Sequence, residues 1–211
     1  MPRNGAITAE AIRGSAIRLF CQHGYEATSL RDLASDVGIK VGSLYNHISS
    51  KEELLYSIMS GIMRDLLDEV NAALATQTEP VDRLRTAVEL HVAFHAVRSQ
   101  EVFIGNSELR ALPPVKRAAV VEQRDEYEQL LRKIVSDGVD AGVFHVSDVR
   151  LATYGIVAIG TQVADWYQPG GRMSLAEIAT VYSDFVLRSL TNDQRQVELG
   201  QMLAPLVSEG G

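Results

Sequence analysis

VGIKVGSLYNHISSKEELL, residues 37–55, combines features that a core helix would not need together. Gly38 offers a turn, and small, hydroxyl-bearing and aromatic side chains follow it within a few residues. Ser50 and Glu53 then have the spacing of a helix N-terminal capping box. The segment therefore predicts a short helix over about residues 41–47, between a turn and the start of a longer helix, with a surface that lies against another molecule.

Two more helices precede this segment. Residues at helical spacing form one apolar face of a first helix, namely Ile12, Ala16, Leu19 and Phe20. Ser29 and Asp32 predict the start of a second helix over residues 30–37, which Gly38 ends. Two short helices joined through a glycine turn, with a third beneath them, form a helix-turn-helix. We expect this DNA-binding domain to occupy residues 1–52.

The second short helix of a helix-turn-helix enters the major groove of DNA. Gly42 has no side chain, so the helix can come close, and Ser43 can donate to a base edge or a phosphate. Lys51 adds a cation beside a helix N-terminus, which itself attracts anions. The candidate DNA-contacting residues are Thr28, Ser29, Lys40, Val41, Gly42, Ser43, Tyr45, Asn46, His47 and Lys51. A purely structural helical hairpin also has a glycine turn, so spacing alone leaves both interpretations open.

Residues 12–59 resemble the N-terminal domain of the TetR/AcrR family of bacterial repressors. The matching motifs are A-x-x-L-F-x-x-x-G-Y at 16–25, T-S at 28–29, V-G at 37–38, G-S-L-Y-x-H at 42–47 and S-K-E-x-L at 50–54. Val41 departs from the family, which often has a basic residue there, and Lys40 lies one place earlier. Val41 can instead contact a thymine methyl group. The resemblance implies a repressor that binds a palindromic operator and is released by a small hydrophobic effector.

The rest of the chain has helical patterns and no convincing alternating strand, so we expect an all-α protein with about nine or ten helices. Helices are predicted over residues 81–98, 115–141, 147–166 and about 174–190, and more weakly over 193–206. By resemblance, residues 53–211 form a C-terminal ligand-binding and dimerisation domain.

Composition is consistent with a globular regulator. The net charge of the 211 residues is −7, but residues 1–60 carry six basic and six acidic side chains, which permits DNA contact there. The single cysteine excludes an internal disulfide and a cysteine-based metal cluster. The longest uncharged run, 151–164, is shorter than the about 20 residues that span a bilayer. We therefore expect a cytoplasmic bacterial protein, with no membrane partner, that joins the nucleoid when bound to its operator.

Residues 151–164 are apolar or uncharged on every side of a helix, which predicts burial. Together with the helix after it, this segment resembles the family's dimer-forming pair, and the resemblance implies a homodimer. The candidate interface residues are Tyr154, Ile156, Ile159, Val163, Trp166, Ile178, Val181, Tyr182 and Phe185. The alternative is that these residues form a core within one chain.

Methionine and aromatic residues on the fourth and fifth predicted helices are candidates to line an effector cavity. The candidates are Met59, Met63, Leu66, His91, Phe94, His95, Phe103, Asn106, Arg110 and Trp166. The alternative for each of them is an ordinary core residue, and for the two histidines a core or surface one. His91 and His95 lie four residues apart but have no clear third ligand, so we expect neither a metal nor a cofactor.

Two segments bear on the effector. Residues 105–117 place Arg110, Lys116 and Arg117 in an acidic domain, where they can bind phosphate or carboxylate or form surface ion pairs. These residues and 165–172 resemble acyl-CoA-responsive members of the family, which control fatty-acid or sterol breakdown. Another hydrophobic effector, or none, remains an alternative.

Two other classes of protein are alternatives to a DNA-binding regulator. The first is a small helical enzyme, but no phosphate-binding lysine loop, G-x-G-x-x-G, H-E-x-x-H or G-x-S-x-G motif is present. We therefore expect that the protein is not an enzyme. The second is a helical interaction module, which salt-dependent binding to duplex DNA would distinguish.

Overall fold

The computed structural model describes residues 3–191, and all regular secondary structure in this part of the chain is helical, as predicted. It contains ten α-helices and one 3-10 helix, Leu109–Ala111. The α-helices are α1 (Arg3–His23), α2 (Leu30–Val37), α3 (Val41–Leu44), α4 (Lys51–Leu74), α5 (Pro80–Val97), α6 (Ser99–Ser107), α7 (Pro114–Asp140), α8 (Val149–Thr161), α9 (Val163–Trp166) and α10 (Leu175–Thr191). The weakly predicted helix over 193–206 lies outside the described residues.

Local capping signals form the first three helices. The Ser29 hydroxyl accepts from the Asp32 backbone N–H, and the Asp32 carboxylate accepts from the Ser29 backbone N–H, which completes a capping box. Gly38 ends α2 at a φ of 75°, in the left-handed region that glycine adopts without strain. Phe20, Leu33 and Leu44 are fully buried and pack the three helices into one small core.

The helix predicted over residues 41–47 is shorter than expected. The α-helix α3 ends at Leu44, and residues 45–47 continue as a tighter turn. In this turn the His47 N–H donates to the Leu44 carbonyl at 2.9 Å and the Asn46 N–H to the Ser43 carbonyl at 3.2 Å. Both bonds join residues three apart, a pattern that often closes the end of an α-helix. Ending the α-helix here costs little free energy because asparagine and histidine have weak helix propensity.

The long helix α4 belongs to two hydrophobic cores. Its first half, including Ile58 and Met59, completes the core of α1–α3. Its second half, including Ile62 and Leu66, enters a larger core built with α5, α7, α8 and α10. The predicted domain boundary between residues 52 and 53 lies near the start of α4, a helix that both cores share. The boundary therefore remains a prediction.

Close packing in the larger core depends on two glycines. A Cβ added to Gly160 would lie 2.3 Å from the His91 ring, and one added to Gly138 would lie 2.0 Å from the Phe144 ring. Gly160 thus lets α8 approach α5. The helix predicted over 147–166 is divided at Gln162 into α8 and α9. Within the described residues, no helix is long and apolar enough to cross a bilayer.

Candidate functional site

The turn around α3 exposes most of the residues that the sequence singled out. Lys40, Gly42, Ser43, Tyr45 and Asn46 are all exposed, and 56% of Tyr45 is accessible to solvent. Leu44, between them, is fully buried and holds the segment against the core. The result is a polar surface on a short, rigidly seated helix.

Space around Gly42 is open. A Cβ placed there would have no heavy atom within 4 Å, so nothing in the fold of a single chain requires glycine at this position. Its backbone conformation is helical, where alanine is the more stable residue. A requirement for glycine would therefore come from something outside the chain.

Val41 and His47 are half-buried. Val41 packs against the core of α1–α3, which limits how far its side chain can reach outward. Of the two, His47 keeps a polar ring partly accessible beside Tyr45 and Asn46.

Two of the expected DNA contacts have structural roles instead, which corrects the expectation for them. The Lys51 ammonium donates to the carbonyl oxygens of Tyr25 at 2.8 Å, Thr28 at 3.0 Å and Glu26 at 3.5 Å, so its three N–H groups hold the turn between α1 and α2. It also lies 4.1 Å from the centre of the Tyr25 ring. The Thr28 side chain is buried, and its hydroxyl donates to the Gly24 carbonyl at 2.9 Å. Neither side chain is free to contact a phosphate.

One exposed cation at this end of the molecule was not among the predicted DNA-contacting residues. Arg31, on α2, is exposed and forms no ion pair with the described residues, whereas Arg18 is paired with Asp36 at 2.5 Å. Ser29 is exposed at the N-terminus of the same helix. Arg31 was not predicted to contact DNA because nothing in a single sequence distinguishes it from any other exposed arginine on a short helix.

A cavity of about 420 Å³ lies in the C-terminal part of the chain, between α4, α5, α6, α7 and α8. Its volume falls within the about 300–1,000 Å³ typical of small-molecule sites. Seven residues predicted to bind the effector line it: Met59, Met63, Leu66, His91, Phe94, His95 and Asn106. These residues belong to the three successive helices α4, α5 and α6, which meet at one largely apolar space.

Three other predicted ligand residues lie elsewhere, which corrects those assignments. Phe103 is half-exposed and borders a surface groove on the other face of α6. Arg110 is exposed on the 3-10 helix. Trp166 is half-exposed, stacks on Tyr182 with a centroid distance of 6.4 Å, and borders a groove near residues 167–173. All three were predicted as ligand residues from the composition of the surrounding sequence. In the structure, the helices that carry them direct their side chains away from the cavity.

Residues of α7 and α8 complete the cavity and were missed by the sequence analysis. They are Val120, Arg124, Asp125, Tyr127, Glu128, Tyr154, Val157, Ala158 and Thr161, together with Gln162, which follows α8. Arg124, Tyr127 and Glu128 share one helix face through i, i+3 and i+4 spacing. This spacing was the signal in the sequence that could have identified them as cavity residues. It was not used because a charged face on a long helix usually faces solvent.

The two cavity histidines are neutral and hydrogen-bonded. His91 Nε2 lies 3.3 Å from both the Val157 carbonyl oxygen and the Thr161 hydroxyl, and Nδ1 lies 2.8 Å from the Tyr127 hydroxyl. In the tautomer that donates from Nε2 to the Val157 carbonyl, Nδ1 accepts from Tyr127. His95 Nδ1 donates to the His91 carbonyl at 2.8 Å. Burial lowers the pKa of His95 to about 4 and that of His91 well below its usual value. The described residues contain no cluster of three or more potential metal ligands, so this pair lacks the third ligand of a typical zinc site.

An exposed apolar face runs along α8 and α10. Phe185 is 58% exposed, and Leu151, Tyr154, Trp166 and Val181 are also accessible. Other predicted interface residues are not available on it: Ile156, Val163 and Ile178 are buried in the core of their own chain, which corrects their assignment. Ile159 and Tyr182 are half-buried at its edge.

Helix α6 connects the cavity to the helix-turn-helix. Its inner face contributes Glu101, Val102, Gly105 and Asn106 to the cavity. On its other side the Cys21 thiol of α1 donates to the Gln100 carbonyl at 3.3 Å, and Glu108, which follows α6, accepts from the Tyr25 backbone N–H at 3.3 Å. Nearby, the Lys116 ammonium of α7 contacts Glu52 at 2.7 Å and Glu53 at 2.6 Å, at the start of α4.

Comparisons with known proteins agree with this arrangement. The family model described as bacterial regulatory proteins, tetR family, matches residues 12–58, and the one described as tetracyclin repressor-like, C-terminal domain, matches residues 77–190. The HTH-type transcriptional repressor KstR2 of Mycolicibacterium smegmatis is 30% identical over 198 residues, 92% of this chain and 95% of that protein.

Two solved structures share the fold along most of their length. A bacterial regulatory protein in the tetR family from Rhodococcus RHA1 is 30% identical, with a TM-score of 0.81 over 89% of this chain and 98% of its own. AibR, solved in complex with isovaleryl coenzyme A and operator DNA, is 26% identical, with a TM-score of 0.75 over 87% of this chain and 98% of its own.

The neutral His95 makes stability depend on pH in a defined direction. Between about pH 7 and pH 5 the unfolded chain protonates this histidine while the folded chain does not, so the free energy of unfolding falls as pH decreases. With pKa values of about 4 folded and about 6.5 unfolded, His95 alone lowers it by about 2 kcal/mol over that range. We expect His95→Gln to remove this share of the pH dependence in urea unfolding. His145→Gln, at an exposed histidine, is the control, and an equal effect of both variants would contradict the assignment.

Proposed function

Because the chain belongs to the tetR family of bacterial regulatory proteins, we propose that it is a homodimeric repressor that leaves a palindromic operator when a small hydrophobic effector binds. Regulation of transcription through DNA binding is the activity of its family and relatives, and the chain is not an enzyme. The dimer, the effector and the release from DNA are the parts we propose.

The exposed surface from Lys40 to Asn46 carries the DNA-binding part of the proposal. It presents a polar, partly basic stretch on a helix of the type that enters the major groove. We assign base or phosphate contacts to Lys40, Gly42, Ser43, Tyr45 and Asn46, with His47 and the exposed Ser29 and Arg31 beside them. Lys51 and Thr28 support this surface from below through the turn between α1 and α2.

The exposed apolar face of α8 and α10 supports dimerisation. Large apolar side chains accessible on one continuous face usually mark an association site. A second copy packed through Leu151, Tyr154, Val181 and Phe185 would cover them in a two-fold arrangement. Two recognition helices would then meet half-sites roughly 34 Å apart or a multiple of that distance.

Helix α6 is the coupling element we assign between effector and DNA. An effector in the cavity contacts its inner face, while Gln100 and Glu108 tie it to α1 and to the turn that follows α1. A small movement of α6 would therefore change the position of the helix-turn-helix relative to its partner. Such a switch requires that the effector bind the released conformation more tightly than the DNA-bound one.

Acyl-CoA thioesters are the first effector class to test, because the similar protein AibR was solved with isovaleryl coenzyme A. The cavity of about 420 Å³ has room for an acyl group, with the nucleotide placed outside it. Its methionine, leucine and phenylalanine side chains would bind an apolar compound that lacks the CoA thioester equally well. A non-CoA hydrophobic compound is therefore the second candidate.

Gly42→Ala tests whether α3 approaches DNA closely. The new methyl group meets no atom of the chain, so stability is retained, whereas a groove fitted to glycine excludes it. We expect operator affinity to fall by about tenfold or more, equal to roughly 1.4 kcal/mol. The measurement is fluorescence anisotropy at fixed salt, on a duplex that the wild-type protein selects from a random library.

Gly61→Ala in α4 is the matched control for Gly42→Ala. Its Cβ would lie 3.8 Å from Arg13 Nη2, an ordinary contact, and it is remote from α3 in the fold. Unchanged affinity of Gly42→Ala would show that this backbone does not lie against the groove.

Phe185→Glu tests the dimer face. The side chain is 58% exposed in a single chain, so the variant keeps its helical circular dichroism, but a buried carboxylate at the interface is costly. We expect sedimentation velocity to show a shift from dimer to monomer. Val115→Glu, at a more exposed apolar residue away from this face, should remain dimeric. A dimer that survives Phe185→Glu would place the interface elsewhere.

Effector binding is tested by thermal stability against a panel of acyl-CoAs, free CoA, a steroid-derived CoA thioester and fatty acids. A ligand at about 100 times its Kd adds roughly 2.7 kcal/mol to the free energy of unfolding. We expect a compound that raises the melting temperature also to release the selected duplex in the anisotropy assay. A compound that stabilises the protein and leaves DNA binding intact would contradict effector-driven release.

A further inference from the structure

One positive charge in the cavity has no acidic partner. Arg124 is the only lysine or arginine among the described residues that line it, and no carboxylate lies within ion-pair distance of its guanidinium. Its one hydrogen bond within the described chain runs from Nη2 to the Gly105 carbonyl of α6 at 2.7 Å. Most of its five N–H donors therefore have no protein acceptor.

The carboxylates around the cavity are already engaged or in water. Glu101 accepts from Arg98 Nε at 2.8 Å and lies 3.8 Å from Arg13, and Glu128 contacts Arg132. Asp125 is exposed, so solvent screens its charge. The acidic residues of the lining therefore do not neutralise Arg124.

The surroundings of Arg124 make an unpaired cation costly. Burial lowers the pKa of Arg124, and no neighbouring charge offsets that effect. Apart from Glu101, Asp125 and Glu128, the lining is apolar or consists of neutral groups, including the two uncharged histidines. An unpaired cation in such a site is stabilised by an anion that brings acceptor oxygens in a planar arrangement.

We propose that Arg124 binds an anionic oxygen group of the effector, so that the ligand is an amphiphile with an apolar body and an acidic end. The inference rests on the proposed effector site and adds the chemistry that the site selects. The anion is either a carboxylate on the ligand body or the diphosphate of a CoA thioester, and both present oxygen atoms to the guanidinium. Since Arg124 also holds the Gly105 carbonyl, the bound anion acts directly on α6.

The test uses decanoic acid, methyl decanoate and decanoyl-CoA with the full-length protein, measured by isothermal titration calorimetry. Arg124→Met keeps the bulk of the side chain and removes the charge. We expect it to weaken the anionic ligands by roughly ten- to hundredfold, the range for hydrogen bonds to charged groups, and to leave methyl decanoate unchanged. Arg124→Lys, which keeps the charge without the planar fork, should restore part of the affinity.

Arg117→Met is the control, because it removes an exposed arginine from the same helix outside the cavity. Loss of affinity for decanoic acid alone in Arg124→Met identifies a carboxylate, and loss for decanoyl-CoA alone identifies the diphosphate. Equal loss for all three ligands, or the same loss in Arg117→Met, overturns the inference while the effector cavity stands. Binding of methyl decanoate but not of either anion by the wild type also overturns it. If none of the three binds, the inference and the hydrophobic-effector proposal both fail.

Discussion

One unbroken helix, α4, contributes side chains to both hydrophobic cores, and this shared packing constrains the rest of the molecule. Its residues near Ile58 are locked to α1 and α3, while those near Leu66 are locked to α5 and α7. Because packed cores shift between discrete arrangements rather than deform continuously, a change on one side must be met on the other. Helix α6 crosses the same junction and carries the cavity wall on one side and contacts to α1 on the other. In such a fold, a structural change at one core can reach the other directly through α4 and α6, without a long series of intermediate contacts.

The cavity has to remain open in a protein interior that would otherwise close on itself. Its polar groups are arranged so that few of them demand a partner, because His91, Tyr127 and Val157 satisfy one another and His95 is anchored on the His91 carbonyl. Gly160 permits this network, since any side chain there would collide with the His91 ring. Arg124 is the exception, with most of its donors facing a space that the protein does not fill. A site with one unmatched charge in an apolar surround discriminates by the ligand's charge as well as by its size.

Features encoded over a few residues could be predicted from the sequence, and features that depend on distant contacts could not. The capping box at Ser29, the turn at Gly38 and the exposed motif at 42–47 are local, so helix order and the helix-turn-helix followed directly. Six of the seven predicted ligand residues that line the cavity lie on α4 and α5, where helical periodicity places them on one side of each helix. Arg124 and Tyr127 were missed because their position depends on how α7 packs more than sixty residues after Met59. Lys51 and Thr28 were assigned to DNA because carbonyl acceptors on a neighbouring loop leave no mark in the sequence. Ile156 and Val163 were assigned to the interface because an all-apolar helix does not reveal which of its sides meets its own chain.

The neutral histidines also limit how far the charge of the cavity depends on pH. A histidine in water changes charge near neutral pH and makes many regulatory sites responsive to acidification. Here the pKa of His95 lies near 4 and that of His91 is lowered as well. These two side chains therefore stay neutral from pH 7 down to about pH 5. In the proposed regulator, protonation of the cavity histidines would not compete with binding of the effector over that range.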